Sequence, residues 1–190
     1  MRGVMVWETM TFALFRTRGG VLGPHQLFGK ACMIDHLIRV FDRGLRTVAG
    51  IHPITDDIPD APTTNLSGLE KRRSGSLMRV NHTGEVCAQA LYEGQALTAR
   101  DANVRSSLQQ AAKEEVVHLV WCRKRLEELD THPSVLDPIF FATSCALGAL
   151  TGTLGDRVSL GFIAATEDQV VEHLDRHIDQ LPQGDGRSRA

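Results

Sequence analysis

Glu115 and His118 stand three residues apart in AAKEEVVHLVWCRKRLEEL, residues 111–129. On an α-helix that spacing leaves two side chains about 60° apart on neighbouring turns, so both can reach one ion. Carboxylate and imidazole are both metal-binding groups. Glu114, four residues before His118, offers the same histidine a competing carboxylate. A solvated helix face carries Glu and His at the same spacings, so the pair needs support from elsewhere in the chain. Two glutamates supply it. Glu85 is embedded in VNHTGEVCAQAL among small and apolar residues, and Glu167 follows the apolar run LGFIAAT. A carboxylate at the edge of an apolar run needs a partner if it is buried, and a metal ion in a helix-bundle core is such a partner.

The elements that must position these groups read as helices. Four segments, at about 69–99, 103–130, 136–154 and 157–181, carry helical patterning with short breaks between them, and no stretch reads as a convincing strand. DTHPS with Pro133 stops the second segment, and Pro182 with QGDG stops the fourth. Long helices with short connections predict an all-α antiparallel bundle over residues 69–190. Residues 33–49 predict a separate amphipathic helix. Ile34, Leu37, Ile38, Phe41, Leu45 and Val48 recur at three- and four-residue steps with Arg39, Arg43 and Arg46 among them. Such a helix either packs on the core or lies on an anionic membrane surface. Residues 50–68, rich in Pro, Asp and Thr, predict an extended linker. The third bundle segment, IFFATSCALGALTGTLG (139–155), runs 17 residues without a charge. That length is at the lower edge for a membrane span, and a buried bundle helix is the expectation. Residues 1–32, with four basic residues and one acidic residue, lack a sustained helical period. They read as a non-core extension, either a targeting segment or a product of an upstream start codon.

The totals exclude several classes. The chain has 190 residues, 42% hydrophobic and 23% charged, with a net charge of −2. That is one ordinary globular domain with no electrostatic signature for nucleic acid. The four cysteines form no C-x-x-C, which argues against a zinc ribbon or a disulfide scaffold and fits a reducing compartment. No G-x-G-x-x-G occurs, so the chain shows no nicotinamide- or flavin-binding signature of its own. Carboxylates with few histidines suit iron or manganese better than zinc or copper. Di-iron carboxylate bundles draw a Glu from each of two helices and a Glu-x-x-His from each of two more. Glu85, Glu115 with His118, and Glu167 match three of those contributions.

RVNHTGEVCAQALYEGQAL, EEVVHLVWCRKRLEEL and LGFIAATEDQVVEHLDRHIDQLP, in this order, resemble the demethoxyubiquinone hydroxylases (3-demethoxyubiquinol 3-hydroxylases) of the ferritin-like di-iron superfamily. The similarity runs from about Met33 to Ala190. The resemblance implies a ferritin-like antiparallel helix bundle. It implies hydroxylation of the ring of a polyprenylated quinol intermediate in ubiquinone biosynthesis, with O2 as co-substrate and two iron ions. It also implies peripheral attachment to a membrane surface, at the cytoplasmic face of a bacterial inner membrane or at the mitochondrial inner membrane. Ubiquinone-biosynthesis complex proteins and a second copy of the chain are the further partners to expect.

Carried over, Glu85 resembles a terminal ligand of the first iron. Glu115 resembles a bridging ligand, His118 a further ligand of the first iron, and Glu167 a ligand of the second. His173 matches a family histidine near the quinone and metal site. It lies about 120° around the helix from Glu167, so it reads as substrate-facing or as supporting a ligand. His177 reads as part of a polar helix face. His82 is either close behind the ligands or a surface histidine. Tyr92, seven residues after Glu85, either hydrogen-bonds near the site or packs in the core. The family's further helix, with a second Glu-x-x-His, is not found. The expectation is therefore a bundle truncated at its C-terminal end with a weakly occupied second iron site. Two rival functions follow: a non-catalytic lipid- or partner-binding member of a quinone-synthesis complex, and a ferritin-like iron-binding protein.

Overall fold

The computed structural model describes residues 33–52 and 61–189. The extension at 1–32 and the centre of the linker lie outside them. The described residues form five helices: α1 (Met33–Ala49), α2 (Gly68–Thr98), α3 (Ala102–Glu128), α4 (Asp137–Thr153) and α5 (Asp156–Gln180). The all-α bundle expected from the pattern is the fold, and the helix limits fall within a few residues of those predicted.

Local chemistry sets those limits. Ser67 caps α2 through a capping box, its side chain accepting from the Glu70 amide while Glu70 accepts from the Ser67 amide. Asp101 caps α3 by accepting from the Asn103 and Val104 amides. Gly155 separates α4 from α5 at φ 112°, a conformation that a side chain would strain.

α2 is the central helix, packed against both α3 and α4. Against α3 it buries Tyr92, Ala96 and Ala99 with Leu108, Ala111 and Ala112, and Ile163 of α5 joins this cluster. Against α4 the two backbones touch. A Cβ added to Gly148 would lie 2.2 Å from the Leu91 carbonyl oxygen, and one added to Gly94 would lie 2.0 Å from that of Cys145. These reciprocal glycines explain the small-residue run in the fourth helix. Gly148→Ala is expected to force the helices apart at a cost of about 1–3 kcal/mol. Thermal unfolding checks this, with Tm falling by roughly 2–12 °C.

Two expectations change here. α4 is not a buried helix. It buries Phe141, Gly148, Thr151 and Gly152 against its neighbours, while Ile139, Leu147, Leu150 and Leu154 are exposed. Gly-mediated contact seats one face only. Among the described residues, no helix is long and apolar enough to cross a membrane. α1 does pack on the core, but with its polar side inward. Thr47 donates to Gln89 Oε1 at 2.7 Å, Arg43 pairs with the buried Glu93, and Gly44 abuts Phe141. Leu37, Ile38, Phe41 and Leu45 point outward, each more than half exposed.

Candidate metal centre

Glu85 from α2 and Glu115 and His118 from α3 meet inside the bundle. One ligand atom from each lies within 4.8 Å of the others. His118 Nδ1 is 3.1 Å from Glu115 Oε2 and 3.8 Å from Glu85 Oε2. Helical register produces this: Glu115 and His118 sit on successive turns of α3, and Glu85 faces them across the α2–α3 contact. Glu114, the competing carboxylate, is exposed and accepts from Gln110 Nε2 on the surface.

The electrostatics are those of a site that wants positive charge. Glu115 is fully buried and Glu85 nearly so. Glu85 Oε2 and Glu115 Oε1 are buried with no hydrogen-bond donor. Burial pushes Glu115 up to about 7; a hydrogen bond with Glu85 opposes the shift and the neighbouring Glu167 adds to it. Burial, then the charge of Glu115, drives Glu85 well above the usual carboxylate range. Buried acceptor oxygens without donors are costly unless a cation meets them. Hard oxygen donors with one imidazole fit a divalent iron-like ion.

Glu167, on α5, is buried and outside the three-residue cluster, but close enough to raise Glu115. Tyr92 donates to Glu167 Oε1 at 3.3 Å. Burial and the carboxylates of Glu115 and Glu167 push the phenol well above its ordinary value, so it stays a donor at neutral pH. Beside these groups lies a cavity of about 430 Å³, walled mainly by apolar side chains such as Leu91, Phe140, Ile163, Val170 and Leu174. Glu85, Tyr92, Glu167 and His173 are among its polar lining.

The structure narrows one histidine reading and corrects another. His82 is not a surface residue: it is 1% exposed, with Nδ1 3.1 Å from Asp137 Oδ2 at the start of α4. Its ring turns towards α4 and does not join the carboxylate cluster. His177 is not on a polar outer face either: it is buried, with Nδ1 2.7 Å from Asn81 Oδ1. The partners Asn81 and Asp137 were missed. Asn81 sits four residues before Glu85, on the same helix face, and that spacing was the available signal. Asp137 gave none, since it reads only as a charge flanking an apolar run.

Residues 72–189 match the family described as "Ubiquinone biosynthesis protein COQ7". The chain belongs to this family. A protein of Ralstonia pickettii is 52% identical over 171 residues, covering 83% of this chain and 79% of its own length. One of Burkholderia multivorans is 51% identical, covering 83% and 77%. One of Ectopseudomonas mendocina is also 51% identical, covering 83% and 74%. All three are named 3-demethoxyubiquinol 3-hydroxylase. No solved structure matches the chain.

Proposed function

We propose that this chain hydroxylates the ring of a polyprenylated demethoxy-quinol in ubiquinone biosynthesis, with O2 as co-substrate and a pair of iron ions as cofactor. One observation carries the reading: Glu85 belongs both to the buried carboxylate–imidazole cluster and to the wall of the apolar cavity. A greasy aromatic ring in that cavity would lie against the groups that hold the metal. The names of the relatives supply the reaction and the substrate class.

Glu85, Glu115 and His118 would hold one iron, with Glu115 shared by a second iron that Glu167 also serves. The second ion needs donors beyond these four residues. When bound, the metal pair supplies the activation of O2. The chain does the rest. Leu91, Phe140, Ile163 and Leu174 exclude water and accept the ring. The phenol of Tyr92 fixes the Glu167 carboxylate through its donated hydrogen bond.

Peripheral attachment to a membrane is part of the proposal. The exposed apolar residues of α1, flanked by Arg39 and Arg46, and the exposed Leu147 and Leu150 of α4 with Leu154 just after it support it. A polyprenyl tail would then reach the cavity from the lipid. The three relatives are bacterial, which favours the cytoplasmic face of a bacterial inner membrane.

The test is incorporation of isotopically labelled O2. The ferrous-loaded chain in lipid vesicles, given a short-tailed demethoxy-quinol, is expected to place one labelled oxygen atom on the ring. Iron uptake without label in the product would instead leave an iron- or lipid-binding protein without the hydroxylase reaction.

A further inference from the structure

His173 and His177 lie four residues apart on α5, with ring centroids 4.0 Å apart and planes tilted by 54°. Neither belongs to the Glu85–Glu115–His118 cluster. His177 is 7% exposed, although Arg176 beside it in the chain is exposed. Across the helix interface its Nδ1 meets Asn81 Oδ1 at 2.7 Å, while Asn81 Nδ2 points to Met78 Sδ. An amide oxygen only accepts, so His177 Nδ1 carries the proton and Nε2 keeps its lone pair. Burial, and then the adjacent His173 and Arg176, hold His177 below its ordinary pKa, so the ring is neutral at pH 7.

This is how proteins prepare an imidazole for a metal. A carbonyl takes the N–H of one ring nitrogen, which fixes the tautomer and turns the other nitrogen outward as a ligand. An i, i+4 pair on a helix places two such rings on one face. We propose that His173 and His177 form a second, two-imidazole site for a divalent d-block cation of the Cu2+, Ni2+ or Zn2+ type, distinct from the carboxylate centre. Neutral imidazole nitrogens select these borderline ions, whereas the carboxylate cluster selects harder ones. His173 also lines the apolar cavity, so an ion on the pair sits against the wall of the proposed ring site. The proposal goes beyond the hydroxylase reading and does not depend on it.

Cu2+ titrated into the intact chain, followed by electron paramagnetic resonance, tests it. The carboxylate centre offers a copper ion one nitrogen, from His118, whereas the histidine pair offers two. A two-nitrogen coupling pattern is expected in the parent and in His118→Ala. His177→Gln and His173→Gln are each expected to abolish the pattern; glutamine retains side-chain bulk at the buried position. Asn81→Ala leaves both rings in place and is expected to weaken Cu2+ binding by roughly 10- to 100-fold. A two-nitrogen pattern that survives both glutamine variants overturns the proposal, as does its absence in His118→Ala.

Discussion

Glu115→Gln is expected to abolish ring hydroxylation and, at pH 8, to make the metal-free chain more stable than the parent. The two effects have one cause. Glu115 lies fully buried beside Glu85 and His118, and without a metal its charge is desolvated there. Its pKa rises from 4.5 to about 7 in the folded chain. The folded state therefore holds the proton more tightly than the unfolded state. The associated stability is complete below about pH 4.5 and is lost as pH rises through about 7. Above that range the shift corresponds to a deficit of about 3 kcal/mol relative to acid pH. Glutamine carries no charge and removes the deficit. In the presence of a chelator, the variant's Tm at pH 8 should exceed the parent's by roughly 6–12 °C, with the gap closing near pH 4. Ferrous iron should reverse the order at pH 8, stabilising the parent by ligand linkage and the variant little. Hydroxylation should fall by more than the roughly 10- to 100-fold that loss of an outer-shell partner costs. Equal melts at both pH values would show that Glu115 is not a buried charge in waiting. Full activity in the variant would remove it from the metal centre.

The split between what the sequence disclosed and what it hid follows from the range of the interactions. The ends of the second and fourth bundle segments were legible because breakers act locally, Pro133 and Pro182 among them. Ser67 with Glu70, Asp101 and Gly155 set other ends over equally short range but show themselves only in the structure. The convergence of Glu85, Glu115 and His118 was legible because helical register and apolar context both pointed inward. Orientation was not. Periodicity in α1 shows that Leu37, Phe41 and Leu45 share a side, but not which side meets the bundle. That was decided by Thr47 with Gln89 and Arg43 with Glu93, contacts that span 42 and 50 residues. The one-sided seating of α4 likewise depends on Gly94 and Gly148 meeting across two helices. His177 was misread, and His82 left open, for the same reason, since Asn81 and Asp137, which meet them, are remote in the chain.

The outward face of α1 yields the second large expected effect. Phe41→Glu together with Leu45→Glu should release the protein from vesicles rich in anionic lipid while leaving its Tm nearly unchanged. Phe41 is 68% exposed and Leu45 56%, so neither contributes much to the folded core. The anchors of α1 lie on the opposite side: Val40, Gly44 and Thr47 are buried, and Arg43 pairs with Glu93. On a membrane the balance differs. Each of the two side chains gains up to about 1.5–3 kcal/mol on entering the acyl boundary. Losing both gives up to roughly a 100- to 10,000-fold fall in vesicle partitioning. The two new carboxylates would also oppose an anionic surface that Arg39 favours, at about 1 kcal/mol per basic residue. Arg46 contributes less because Asp42 accepts its Nε–H at 2.8 Å. Parent binding should accordingly weaken with added salt without vanishing, because the apolar part is not screened. Flotation of both proteins at two salt concentrations, beside thermal melts, separates the outcomes. A double variant that still floats would move the lipid contact away from α1, towards the exposed leucines of α4. A variant that loses its vesicles together with several degrees of Tm would mean that protein covers this face. A shift in sedimentation on mutation would identify that cover as a second copy of the chain.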